Sequence, residues 1–147
     1  MTRFPLQTVL DLMQSRADGA ARELGKRIAA EKNAKAQLAM LEEYRSDYAE
    51  RFRGAAQRGM SPREWQNYQE FMARLDEAID QQTIAVTGSE RHRAAGQQQW
   101  MDQANRLRAF DHLADRHHDR ERQIEGRREQ KLTDEIASRR SGEPKVD

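Results

Sequence analysis

Apolar side chains recur along this chain at alternating steps of four and three residues. From Leu6 the series runs through Leu10, Met13, Ala17, Ala20, Leu24, Arg27, Glu31, Ala34, Leu38, Leu41, Arg45, Tyr48 and Phe52 to Ala55. A seven-residue repeat held this strictly predicts a coiled-coil seam, because a lone globular helix follows a 3.6-residue period and drifts off it. A second series starts at Trp65 and passes through Tyr68, Met72, Leu75, Ile79, Gln82, Val86, Ser89, Arg93, Gly96, Trp100, Gln103, Leu107, Phe110, Ala114, His117 and Glu121 to Ile124. It is weaker in its middle.

Between the two series lies "RGMSPREW". Gly59 suits a left-handed helix C-cap there, and Ser61-Pro62-Arg63-Glu64 has the form of a capping box with proline at the first helical position. One helix is therefore expected over about 5–57, a turn over about 58–62 and a second helix over about 62–140. A connection this short makes the helices antiparallel neighbours. The expected fold class is all-α: a long two-helix antiparallel coiled-coil hairpin, one elongated domain over residues 1–147.

With the turn centred near residue 58 or 59, facing residues have numbers adding to roughly 117. Arg27 and Glu31 then face the region of Val86, Ser89, Glu90 and Arg93, so the polar interruptions of the two seams coincide. Such a zone either fixes register at some cost in stability or is simply a poor stretch of coiled coil. Leu6 falls opposite residue 111, so the second helix should overhang at the C-terminus from about residue 112. A disordered tail is expected over 141–147, after the breakers Ser141, Gly142 and Pro144. The overhang offers few apolar residues, Ile124, Leu132 and Ile136, among mixed charges suited to i,i+4 pairs.

Composition narrows the function. Only 36% of the chain is hydrophobic while 35% is charged, which is thin for a compact globule and suits an elongated one. Basic and acidic residues, 26 and 25, intermingle to a net charge of +1, and this balance argues against a nucleic-acid binder. The absence of cysteine excludes a disulfide framework and is compatible with the cytoplasm. No secretory signal or membrane-spanning run is visible, so any membrane association is expected through a partner rather than by insertion.

Aromatic residues make up only 6% of the chain, yet Tyr44, Tyr48, Phe52, Trp65, Tyr68 and Phe71 cluster around the turn. Tyr48, Phe52, Trp65 and Tyr68 hold seam positions. Tyr44 and Phe71 each sit one residue before one. Together with Gln37, Leu41, Leu75 and Ala78 they make a flanking stripe broader than a two-stranded seam needs. Such a stripe is either a protein-binding surface or a thickened core edge.

Catalytic signatures are missing: there is no glycine-rich phosphate loop, nucleophile elbow or Walker motif. His112, His117 and His118 lie near Asp111, Asp115 and Asp119, but no second ligand pair at i,i+4 completes a metal site and no second histidine-rich segment faces it, so solvated helix-face histidines are expected. No cofactor is expected, and no enzymatic activity. The expected role is mechanical or recognitive.

The segments "QLAMLEEYRSDY" (37–48) and "WQNYQEFMARLDEAI" (65–79), with the turn between them, resemble FliJ, the small cytoplasmic component of the bacterial flagellar protein export apparatus. The pattern Q-L-x-x-L-x-x-Y-x-x-x-Y, followed about 17 residues later by W-x-N-Y-x-x-F, carries more of this likeness than the heptads do. The resemblance implies a coiled coil similar to the central stalk of rotary ATPases. Its implied partners are the export ATPase hexamer, whose assembly it promotes, the cytoplasmic linker region of the export gate FlhA, and export chaperones. The implied location is cytoplasmic, peripheral to the inner face of the cell membrane through the export apparatus. The family's gate-binding surface matches Gln37, Leu41, Tyr44, Tyr48, Phe71, Leu75 and Ala78 here. Gln82 stands where that surface carries a histidine. A stalk of two helices about 50 residues long would span roughly 75 Å.

Alternatives remain open at this level. The equivalent stalk protein of a virulence-type III secretion system follows the same plan. A structural coiled-coil scaffold would dimerise through its own helices, whereas the hairpin should be monomeric. A nucleic-acid-binding rod is a more distant third.

Overall fold

The computed structural model describes residues 4–142. Two α-helices account for nearly all of them: α1, Gln7–Arg58, and α2, Pro62–Gly142. No strand occurs among the described residues.

The stops and starts have local causes. Gly59 adopts φ +95°, the left-handed conformation that a side chain disfavours, and its N–H bonds the Ala56 carbonyl at 3.2 Å. Two residues later Ser61 caps α2. Its Oγ accepts from the Glu64 N–H at 3.2 Å and its carbonyl from the Trp65 N–H at 3.1 Å, so two N–H groups of the first turn have partners. Glu64 places negative charge at the positive end of the helix dipole. At the other end of α1, Phe4–Leu6 precede the helix as a turn in which the Gln7 N–H bonds the Phe4 carbonyl at 3.0 Å.

The chain divides into two compact units. One, Asp18–Met101, contains the turn and the parts of α1 and α2 that flank it. Its seam matches the heptad series: Ala20, Leu24, Ala34, Leu38, Leu41, Tyr48 and Phe52 of α1 and Tyr68, Met72, Leu75, Ile79, Val86 and Gly96 of α2 are half-buried or buried. Trp65 and Arg45 hold seam positions and stay exposed, as does Trp100 at the unit's far end. Contacts between the helices run further along α2 than a turn centred at 58 or 59 implies, by about one helical turn for Phe52 with Tyr68 and about two for Glu31 with Arg93. The three-residue link Gly59–Ser61 accounts for about one turn of that shift, since α1 continues through Arg58.

The other unit combines the residues up to Ala17 with those from Asp102 onward. Here Ala17, Ala114 and Phe4 are buried, and Phe4 lies against His117 with ring centroids 5.3 Å apart. Coverage of α2 continues to Glu121, and every residue from Arg122 to Gly142 is exposed. The unpaired stretch thus begins about ten residues beyond the expected 112, because Phe4 and the turn before α1 reach past Leu6. Ser141 and Gly142 are helical, and the rest of the expected disordered tail, 143–147, lies outside the described residues.

Candidate partner-binding surface

Three aromatic contacts build the turn-proximal end of the Asp18–Met101 unit. Phe52 stacks on Tyr68, centroids 3.6 Å apart and planes 14° off parallel, and meets Trp65 at 4.9 Å in a tilted contact. One layer further from the turn, Tyr48 and Phe71 meet at 4.3 Å, and the Arg51 guanidinium lies 5.8 Å from the Tyr48 ring centre. Rigid, wide side chains at successive seam layers leave little room for the helices to shift.

The flanking residues divide by exposure. Tyr44 is 54% exposed and Phe71 39%, whereas Leu75 is buried at 9%. Gln37 is exposed, and Leu41, Tyr48, Ala78 and Gln82 are half-buried. Leu75, Leu41 and Tyr48 therefore form the floor on which the exposed groups stand. Gln82 takes part in the helix pairing: its amide donates to the Ala34 carbonyl at 2.9 Å. Phe71 makes its ring contact with Tyr48, one turn nearer the loop than Tyr44. Tyr44 instead lines a shallow hollow of about 250 Å³ with Met40, Glu43 and Asp47. The sequence reading did not single out those three, although Met40 stands four residues before Tyr44 and so on its face of the helix.

The two flanks of this unit differ in charge. On the flank of Tyr44 and Phe71, the heptad places an uncharged stretch, Ala30, Asn33, Gln37 and Met40 from α1 and Ala78, Gln81, Ala85 and Gly88 from α2, which gives way toward the turn to Asp47, Arg51, Glu64 and Arg74 and at its other end to Glu23 and Lys26. The opposite flank carries Lys32, Lys35, Glu42, Asp76, Asp80 and Glu90. There Arg45 bonds Asp76 across the helices, which raises the Arg45 pKa, first through the hydrogen bond and then through charge. Glu42, Arg53 and Asp80 join that pair around an open groove. In a chain with 35% charged residues, this flank thus has an uncharged stretch, and the exposed aromatics stand at its turn-proximal end, where Glu43 and Asp47 adjoin Tyr44.

Farther from the turn, the polar seam residues meet as a network. Glu31, 8% exposed, accepts from Arg93 Nε at 2.6 Å and from Lys35 Nζ at 3.0 Å. The Arg93 hydrogen bond, followed by that from Lys35, lowers the Glu31 pKa below the ordinary carboxylate range. Arg27 donates to the His92 carbonyl at 2.9 Å and to Glu23 at 3.3 Å. No helix in the structure is long and apolar enough, over the described residues, to cross a membrane.

Comparison with known proteins gives this arrangement a context. The family model described as "Flagellar FliJ protein" matches residues 2–145. The chain is 32% identical over 134 residues to a flagellar FliJ protein of Salmonella typhi, covering 91% of each chain. It is 30% identical over the same length to the flagellar FliJ protein of Escherichia coli (strain K12), again covering 91% of each. A match of this extent, on two long helices that pair in the expected heptad phase, establishes that the chain belongs to the FliJ family of flagellar export components.

Proposed function

We propose that this protein is a non-enzymatic stalk of the flagellar export apparatus, linking the export ATPase to the export gate. In this reading the flank of the Asp18–Met101 unit that carries Tyr44 and Phe71 binds the cytoplasmic linker region of FlhA. Tyr44 and Phe71 are its exposed anchors, Gln37 and Ala78 line its edge, and Leu41, Tyr48 and Leu75 hold the anchors in place. The observation that carries the proposal is the exposure of Tyr44 and Phe71 beside an uncharged stretch of that flank. Gln82 is already engaged with the Ala34 carbonyl, so it contributes to the pairing rather than offering a free amide.

The same reading has the protein bind the export ATPase hexamer as a central stalk, promote its assembly and engage export chaperones. The apparatus would then hold it in the cytoplasm at the inner face of the membrane. The flagellar relatives favour this over the virulence-type counterpart.

The test is a double variant, Tyr44→Ala with Phe71→Ala, assayed for retention of the FlhA linker and for swimming. At least about a tenfold loss of linker binding, with helical content kept and stimulation of the ATPase unchanged, is the expected result. Full linker binding by a folded variant would overturn the gate assignment.

A further inference from the structure

Gly96 is buried near the middle of α2, where glycine weakens a helix. Other helical glycines of the same unit, Gly25 and Gly88, have open space where a Cβ would stand. Gly96 does not: a Cβ there would lie 2.8 Å from Arg27 Cδ, 3.3 Å from Nη1 and 3.4 Å from Nε. The side chain of Arg27, 15% exposed, therefore occupies the notch that the missing side chain leaves. Its Nη1 donates to the carbonyl of His92, four residues before Gly96, hence in the turn of α2 that a larger residue at position 96 would shield. One turn along α1, Glu31 and Arg93 pair across the same two helices.

We propose that Arg27 and Gly96 form a latch, a conformational device in which a guanidinium seated in a backbone notch and bonded to the His92 carbonyl holds the turn-distal part of the Asp18–Met101 unit closed. The notch is specific to one register. A slip of one heptad would set Arg27 against Ser89, whose Cβ occupies the space, and would part Glu31 from Arg93. Because the contact is polar and local, its loss opens the turn-distal part while the stacked rings beside the turn stay packed. The latch is independent of which partner the flank of Tyr44 and Phe71 binds.

The test compares Gly96→Ala, Gly88→Ala, Arg27→Ala and the double variant Arg27→Ala/Gly96→Ala by urea unfolding and amide hydrogen exchange. Gly88→Ala should raise the unfolding midpoint, as removal of a helical glycine ordinarily does. Gly96→Ala should lower it, and the double variant should fall less than the two single losses combined. Arg27→Ala should speed exchange of the amides around residues 24–34 and 86–96 at least about tenfold while those around Phe52 and Tyr68 keep their protection. If Gly96→Ala fails to fold, the Arg27→Ala exchange pattern decides. A Gly96→Ala midpoint that rises like that of Gly88→Ala, or uniform exchange in Arg27→Ala, would overturn the latch.

Discussion

Two layers of the Asp18–Met101 unit hold the same pair of helices together by opposite means. Beside the turn, Phe52 lies flat on Tyr68 and edges against Trp65. Farther along, Glu31 bridges Lys35 and Arg93. The aromatic layer gains from removing wide apolar faces from water, and it is nearly insensitive to pH and salt. The ionic layer must first desolvate a carboxylate and a guanidinium, so its net contribution is small even though its geometry is specific. Strength and selectivity are therefore located at different heights of one seam, with strength nearest the loop that joins the helices.

This contrast can be broken most forcefully at the rings. Phe52→Ala removes the shared partner of Tyr68 and Trp65 from a half-buried position and should cost about 2–3 kcal/mol, read from the urea midpoint. An equal loss on replacing Glu31 would erase the distinction. A smaller effect is expected at the junction itself. Ser61→Ala deletes the oxygen that receives the Glu64 N–H, and should cost about 1 kcal/mol with the exchange of amides 62–66 most affected.

The smallest effect near neutral pH should come from Glu31→Gln, and its signature is the shape of the acid limb. The Glu31 carboxyl is depressed in the folded protein, so its contribution is present above the ordinary carboxylate range and is lost as pH falls through the folded value. The Gln variant should thus lose stability less steeply with acid than the parent. Identical pH profiles would show that the network around Glu31 contributes nothing to folding.

Much of this pairing was legible in the sequence because the heptad is a direct image of which face is covered. Leu24, Leu38, Met72, Leu75 and Val86 could be placed before any coordinates, and so could the coincidence of Glu31 with Arg93. Side-chain reach was not legible. Arg27 takes a position where the repeat asks for an apolar knob, and only the backbone of α2 shows that Gly96 is cut to receive it. Trp65 keeps its place in the repeat yet remains 45% exposed, since an indole in the first turn of α2 has no further layer above it to close over its outer edge. The flanking stripe and the burial of Leu75 on the seam followed from spacing, but that Phe71 is the residue whose ring meets Tyr48 required the register, which the chain sets by ending α1 at Arg58.

The stretch from Arg122 to Gly142 is helical and exposed throughout, with no neighbouring helix among the described residues. Its support there is local: Arg122 with Asp119, Gln130 with Asp134, and the Thr133 hydroxyl on the Glu129 carbonyl. A helix held by such contacts sits close to its helix–coil balance, so any partner gripping it would pay a small ordering entropy instead of the full cost of coiling a random chain. Affinity at that end is consequently adjustable without touching a contact residue: Gly126→Ala, where a Cβ meets nothing, would pre-order the segment and strengthen every helical grip on it alike.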